Sequence, residues 1–339
     1  MKKINWGIIG LGRIADIFAN AFEFSSVGNL IGLASTNREK LDKFKNKYKI
    51  NEKYCFNSYE SLLNCNEIDV VYIALPNSLH YEWILKCIES NKKILVEKPA
   101  TLNFDEIKNI EKQVSNKKIF FAEGFMYRFH PQISKVIEMV KNNEIGNINF
   151  VESNFGINIL TKLNIFGIKL MKKINEKNRL YNKNLGGGAI LDLGCYPVSF
   201  STLIASLQNK FKNVQITSKK KEFLKTGVDI DSYAELVFDN NFKTKIGASF
   251  TKKLGNASKI VGNKGEILIN DTWTAQTPYI ILKKEGTKKI PIDNVKNIYA
   301  YEIDFVSECI LQNKSELAFP GLTMEDTICN MKILDEWLK

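Results

Sequence analysis

Residues 4–15 read Ile4-Asn-Trp-Gly-Ile-Ile-Gly10-Leu-Gly12-Arg-Ile-Ala15. An apolar strand runs into G-x-G-x-x-A, and a helical pattern follows through Phe24. Gly10 suits the tight turn that ends the strand. Gly12 lets a pyrophosphate approach the backbone, with the N-terminus of the following helix facing its charge. A bare G-x-G is a weak signal. Here it lies between a strand and a helix, and strand–helix alternation continues behind it. That context makes it a dinucleotide fingerprint, with Leu11, Arg13 and Ile14 completing the loop. The same stretch begins MKKINWGIIGLG, which has the look of a short signal peptide. The glycine fingerprint inside it and the lack of a small-residue cleavage site favour the strand.

Working outward, strands are expected at Ile4–Ile9, Leu30–Ser35, Val70–Ala74, Ile94–Val96 and Ile119–Ala122. Helices are expected at Arg13–Phe24, Arg38–Tyr48, Tyr59–Leu63, Leu79–Ser90 and Phe104–Ser115, with Ser58 and Asn103 as N-caps. This alternation gives a doubly wound parallel sheet. After Gly124 the texture changes. Pro131 opens a helix to Asn142, and Ile148–Phe155, Val214–Lys219, Tyr233–Phe238, Lys243–Thr251, Ser258–Val261 and Glu266–Ile269 follow as strands between Gly, Asn and Asp turns. Such a succession is antiparallel sheet. One helix near Gly188–Leu207 interrupts it, and Val295–Gln312 and Met324–Leu338 close the chain. The expected fold class is α/β plus α+β: a Rossmann domain over 1–123, then a domain with a large open, mainly antiparallel sheet over 124–339.

Two further segments carry chemistry. In Leu95-Val-Glu97-Lys98-Pro99-Ala100, a buried strand ends in Glu-Lys-Pro. The C-terminal edge of an open parallel sheet is where ligands bind. A lysine there is half desolvated and loses its proton more readily than in water. In Leu185–Pro197, three glycines precede a helix carrying Asp192 and Tyr196, whose four-residue spacing puts both on one helical face. Taken alone, the plainer reading is a local partner for Asp192 and a core position for Tyr196.

Taken together, GLGRIA at 10–15, Pro76-Asn-Ser-Leu-His80, VEKP at 96–99 and GGGAILDLGCY resemble the Gfo/Idh/MocA oxidoreductase family over essentially the whole chain. The resemblance implies hydride transfer between a nicotinamide and a secondary alcohol or ketone of a sugar or cyclitol. It implies that Lys98 contacts the reacting oxygen and that Asp192 orients substrate. Inositol-type members have histidine four residues after that aspartate, where this chain has Tyr196. Tyr196, Glu123-Gly-Phe-Met-Tyr-Arg-Phe-His-Pro131 and Asn178-Arg-Leu look like the branch of glucose–fructose oxidoreductase, dimeric dihydrodiol dehydrogenase and xylose dehydrogenases. A phenol can give a proton to the developing alkoxide, and a neighbouring ammonium lowers its pKa and stabilises the alkoxide, so either Tyr196 or Lys98 can be the group that transfers it. The candidate catalytic residues are therefore Lys98, Tyr196 and Asp192. The cofactor set comprises Gly10, Leu11, Gly12, Arg13, Ile14, Ser35, Thr36, Arg38, Leu75, Pro76, Asn77, His80, Glu97, Lys98 and Arg128. His130 reads as a helix cap, with a substrate contact as the alternative. No metal is expected.

NAD enzymes usually place an acid on the ribose hydroxyl about 20 residues after the fingerprint. Positions 24–38 hold no acid, and the second strand ends Ser35-Thr36-Asn37-Arg38. Hydroxyls followed by a base suit a 2′-phosphate, so NADP is expected, with NAD as the alternative. The net charge of +11 comes from 48 basic and 37 acidic residues, with the lysines spread along the chain. A nucleic-acid surface would gather them on one face, so no nucleic-acid partner is expected. No run reaches the ~18–20 apolar residues of a membrane span. Six cysteines without metal spacing fit free thiols in the cytoplasm. Leu163, Phe166, Leu170 and Ile174 recur at helical spacing among lysines, as in a lid or dimer-contact helix. An apolar open sheet face predicts a homodimer or homotetramer. Two other functions fit the same motifs. One is a ketoreductase of nucleotide-linked sugars. The other is a non-catalytic dinucleotide sensor, which would not need both Lys98 and Tyr196.

Overall fold

The computed structural model describes residues 2–163, 168–208, 211–293 and 297–339. In the first part of the chain β1 (Ile4–Ile9), α1 (Arg13–Ala21), β2 (Gly28–Ala34), α2 (Arg38–Tyr48), β3 (Cys55–Phe56), α3 (Tyr59–Leu63), β4 (Val70–Ile73), α4 (Asn77–Glu89), β5 (Lys93–Glu97), α5 (Phe104–Lys117) and β6 (Phe121–Gly124) alternate. The strands form one parallel sheet in the order β3-β2-β1-β4-β5-β6. β4 and the Ile94–Val96 centre of β5 are apolar and buried on both faces, as strands covered by helices on both sides must be. Asn37, Ser58 and Asn103 each cap a helix by accepting an amide from its first turn. Ile9, Ile73 and Val96 lie in one row across β1, β4 and β5. The loops that follow them therefore leave the sheet side by side at its C-terminal edge.

The next part holds α6 (Pro131–Lys141), β7 (Ile148–Gly156), β8 (Thr161–Leu163), β9 (Lys169–Met171), α7 (Cys195–Gln208), β10 (Val214–Phe223), β11 (Asp229–Phe238), β12 (Lys243–Ser249), β13 (Ser258–Gly262), β14 (Gly265–Ile269), β15 (Tyr279–Lys283) and β16 (Thr287–Pro291). Eight of these strands form a sheet ordered β10-β11-β12-β7-β13-β14-β15-β16, in which only the β12–β7 pair is parallel. Val151, Phe155, Ala234, Leu236, Ile246, Ala248, Ile260, Ile267, Ile269 and Ile280 are buried on its inner face. β7 and β12 pack on α7 there. Within Lys183–Gln208 the chain is apolar and long enough by composition to cross a membrane, but 83% of its apolar window is buried inside the fold.

Three expectations need correction. The open face of the large sheet is not apolar: Glu235, Lys245, Glu152, Lys259, Leu268, Ile281 and Lys289 follow one another in a single cross-strand row. Glu235 pairs with Lys245 at 3.1 Å, and Lys259 with Glu266 at 2.9 Å. The described residues of the stretch 156–185 form no α-helix. β8 and β9 pair as a short antiparallel hairpin, and 3-10 turns follow at Arg179–Tyr181 and Lys183–Leu185. Leu163 ends β8 and Leu170 is the middle residue of β9, so their helical spacing is a coincidence of so short a stretch. Phe166 lies outside the described residues.

The third correction concerns domains. By contact the chain divides into Met1–Phe129 with Val295–Met331, and His130–Asn294 with Lys332–Lys339. This is not the expected division at 123/124, because α8 (Ile298–Leu311) belongs to the first unit. Asp304 of α8 accepts from Ser25 Oγ at 2.6 Å and from the Ser26 amide at 2.9 Å, and Trp6 Nε1 donates to Ser307 Oγ at 3.0 Å. α9 (Met324–Leu338) is shared between the two units.

Candidate active site

Two glycines shape the fingerprint loop for different reasons. Gly10 has φ +87°, and a Cβ there would lie 2.6 Å from Leu75 Cδ2 and 2.8 Å from the Ala74 carbonyl. It is therefore required by the backbone turn and by the close approach of the β4–α4 loop. A Cβ on Gly12 would meet nothing within 4 Å. That residue stands exposed at the start of α1, and as a glycine N-cap it brings no side chain to the helix's first amides. Open space over such a helix N-terminus fits an anionic diphosphate. Leu11 is buried, Ile14 half-buried and Arg13 exposed.

At the end of β2, Ser35 is buried and its Oγ accepts the Asn37 amide at 3.1 Å, while Thr36 is exposed. Arg38 is not idle. Its Nε bonds Asp42 at 3.1 Å, and its Nη2 lies 3.4 Å from Glu52. At the end of β4, Leu75 and Asn77 are buried and Pro76 is exposed at the start of α4. His80 was expected to line the cofactor pocket, but it is fully buried. Its Nδ1 lies 2.8 Å from the Pro99 carbonyl and its Nε2 lies 2.9 Å from the Leu75 carbonyl. It thus ties the β4 loop to the β5 turn, acting behind the pocket wall.

At the end of β5, Glu97 is buried and accepts a hydrogen bond from the Tyr72 hydroxyl, whose pKa burial pushes well up. Lys98 follows, half-buried, at the C-terminal edge of the sheet. Arg128, expected among the cofactor residues, is buried in the 3-10 turn Met126–Phe129, where its charge acts on Glu123. The first unit therefore brings the fingerprint loop, the β2 end, the β4 loop and Lys98 to one edge.

Asp192 and Tyr196 belong to the second unit. Ile190–Gly194 is a single π turn, and α7 begins at Cys195. The spacing of Asp192 and Tyr196 is therefore not one α-helical repeat. π turns inside helices frequently mark functional sites. Asp192 pairs with Arg179 Nη1 at 3.1 Å. The Tyr196 ring is buried, edge-on to Phe155 at 5.3 Å and tilted against Trp273 at 5.6 Å. His130 caps α6, accepting the Gln132 amide at 3.2 Å.

Sequence reasoning missed the group that holds the π turn. Asp229 on β11 is buried and accepts the Ile190 amide and the Ser232 hydroxyl, each at 2.9 Å. Gly188, at φ +115°, would place a Cβ 2.3 Å from the same carboxylate. No sequence signal links Asp229 to a turn 39 residues before it.

With this geometry in place, comparison with known proteins is informative. Residues 4–125 match the oxidoreductase family with an NAD-binding Rossmann fold, and residues 133–268 match the GFO/IDH/MocA C-terminal domain. The chain belongs to the Gfo/Idh/MocA oxidoreductase family. It is 28% identical to trans-1,2-dihydrobenzene-1,2-diol dehydrogenase of Xenopus tropicalis over 98% of this chain and 97% of that one. The Homo sapiens enzyme of the same name is 24% identical over 98% and 95%. Among solved structures, aldose-aldose oxidoreductase from Caulobacter crescentus superposes with a TM-score of 0.85 at 20% identity, covering 99% of this chain and 96% of that one. KijD10, a 3-ketoreductase from Actinomadura kijaniata, gives 0.82 at 20% identity over 98% and 96%. The protein is an oxidoreductase with an NAD-binding Rossmann domain.

Proposed function

We propose that the protein is an NADP-preferring dehydrogenase or reductase of secondary alcohols and ketones on sugars or related polyols. The observation that carries this reading is the C-terminal edge of the first sheet. There the open Gly12 backbone and the first α1 amides share one edge with a half-buried Lys98. The absence of any acid over 24–38 supports NADP. The names of the similar proteins point the same way: a diol dehydrogenase, an aldose oxidoreductase solved with glycerol, and a ketoreductase solved with NADP.

A bound nicotinamide supplies or takes the hydride. Gly10 and Gly12 shape the diphosphate cradle, with Leu11, Arg13 and Ile14 around it. Ser35, Thr36 and Arg38 would hold the 2′-phosphate, and Leu75, Pro76 and Asn77 would form the wall beyond. Glu97 and His80 hold the turn that carries Lys98. Lys98 stabilises the oxygen that becomes alkoxide. Tyr196 gives or takes the proton at that oxygen, and Asp192, held by Arg179, orients the substrate hydroxyls. A homodimer or homotetramer and a cytoplasmic location with reduced thiols belong to the same reading. Light scattering checks the first.

The test is a substrate screen that follows NADPH absorbance, with keto-sugars, nucleotide-linked sugars and cyclic diols included. On the substrate found, Tyr196→Phe should lower turnover about 10²–10⁴-fold while leaving NADPH affinity nearly unchanged. Lys98→Met should do comparable damage, and the two losses should not add, since both groups act on one oxygen. Normal turnover by the phenylalanine variant would make Tyr196 a packing residue only.

A further inference from the structure

The first unit contains buried carboxyls that the chemistry above does not use. Glu123, the third residue of β6, is 3% exposed. Its Oε1 accepts the Ala100 amide at 2.8 Å, two residues beyond Lys98. Thr327 of α9 stands within hydrogen-bonding reach of the same carboxyl. Oε2 is buried, and no protein donor meets it.

Two cations act on this carboxyl, Arg128 in the 3-10 turn and Lys98 just past β5. Two further acids, Glu97 of β5 and Glu302 of α8, lie beside the neighbouring Gly124. Glu302 is fully buried with both carboxyl oxygens unmatched, and burial together with the charge of Glu97 holds its pKa well up. A Cβ on Gly124 would lie 3.6 Å from Glu302 Oε1 and 3.8 Å from Glu97 Cα, so these acids flank the residue next to Glu123. Arg128 and Lys98 are the cations whose charge acts on Glu123.

We propose that Glu123 is a positioning residue for Lys98: it fixes the Lys98–Ala100 turn through the Ala100 amide and sets the charge beside the Lys98 ammonium, so both change when the carboxyl gains a proton. This rests on the reading of Lys98 as the group at the reacting oxygen. The ionised carboxylate makes a charge-assisted bond to the Ala100 amide, roughly twice as strong as a neutral one. It also favours the charged form of Lys98. A proton on Oε2, the oxygen without a donor, removes both effects. Burial pushes Glu123 up to about 7, against the pull of the Ala100 amide, Thr327, Arg128 and Lys98, so the switch falls in the working range of most cells. Coupling of this kind is reciprocal, and Lys98 must sense the titration of Glu123.

Reductive methylation of the full-length protein with ¹³C-formaldehyde makes each lysine visible by NMR, and Lys98→Met identifies the Lys98 resonance. In the wild-type protein that resonance should show an inflection near pH 7 in addition to its own titration. Glu123→Gln keeps an acceptor for the Ala100 amide but cannot ionise, so the inflection should vanish. Thr327→Val takes away the hydroxyl beside the carboxyl that holds its pKa down and should move the inflection up by about 1 pH unit. An inflection that survives in Glu123→Gln, or one that stays in place in Thr327→Val, overturns the proposal. The valine variant decides the matter even if the glutamine variant does not fold. Adding NADPH to the same sample separates the two readings. A Lys98 resonance indifferent to NADPH but keeping the inflection refutes the role of Lys98 at the cofactor and leaves the coupling to Glu123 intact.

Discussion

Asp229→Ala should loosen the π turn that carries Asp192, and the structure supplies the size of the effect. The substitution removes the acceptor of two buried donors, the Ile190 amide and the Ser232 hydroxyl, each now bonded at 2.9 Å. A buried donor left without its partner costs about 1–3 kcal/mol. Part of this is offset, because burial raises the Asp229 pKa and the ionised group carries its own desolvation cost in the folded state. A net loss of about 2–4 kcal/mol follows. Asp229→Asn keeps one acceptor oxygen and should lose about 1 kcal/mol.

The assay is hydrogen–deuterium exchange of peptides covering 186–194, read beside a urea melt. If the Ile190 amide exchanges by local opening, Asp229→Ala should speed it about 30–1000-fold, the exchange equivalent of that loss. Gly188 offers an internal control. Gly188→Ala puts a methyl 2.3 Å from the Asp229 carboxylate at φ +115°. In the Asp229→Ala background the crowding disappears and only the backbone strain of about 1–2 kcal/mol remains, so the two changes should couple. Unchanged Ile190 protection in Asp229→Ala would refute the clamp. So would an identical cost of Gly188→Ala in both backgrounds.

Gly12→Val should fold and melt like wild type, because its side chain meets open space, yet lose NADPH binding measured by fluorescence. Gly10→Ala should instead lower stability in urea by about 1–3 kcal/mol, from positive φ and the clash with Leu75. NADPH should bind more tightly than NADH in calorimetry, and Arg38→Ala should narrow the gap about 10-fold, the low end for a charge-assisted contact because Asp42 and Glu52 already hold the guanidinium. Burial lifts Glu123 from its ordinary 4.5 to about 7, so between those values the folded protein keeps a proton that the unfolded chain releases. Stability should therefore fall by about 3 kcal/mol as pH rises through that window and level off above it, while urea midpoints of Glu123→Gln should lack this fall.

The first sheet was legible because its signals are local. Parallel strands buried on both faces read as continuous apolar runs, and β1 begins and ends where its sequence says. Asn103 and Ser58 announce helices by a bond made three residues on. The two-residue β3 has no such signal, and β15 and β16 hide because Lys283, Lys288 and Lys289 break the alternation of an edge hairpin. The open sheet face was misread for a related reason. Its charges look like scattered surface lysines until cross-strand register puts Glu152 between Lys245 and Lys259. The return of α8 rests on Asp304 reaching residues 277–279 positions away, which no window of sequence contains.

The candidate site divides along the same line. Residues that meet a ligand through backbone or strand-end geometry, such as Gly10, Gly12 and Lys98, stand in short motifs, because turn, diphosphate and strand end are all set within a few residues. The groups that tune them do not. His80 ties the Leu75 and Pro99 carbonyls, Glu123 holds the Ala100 amide, and Asp229 holds the π turn. Each of the last two is a carboxyl whose pKa burial raises, which makes its ionised state costly and the hydrogen bond that offsets the cost directional. An apolar residue in either place would fill the volume and leave an amide unpaired. The site's precision therefore comes from buried acids that composition alone would assign to the surface, and changing them should alter how the motif residues behave before it alters the fold.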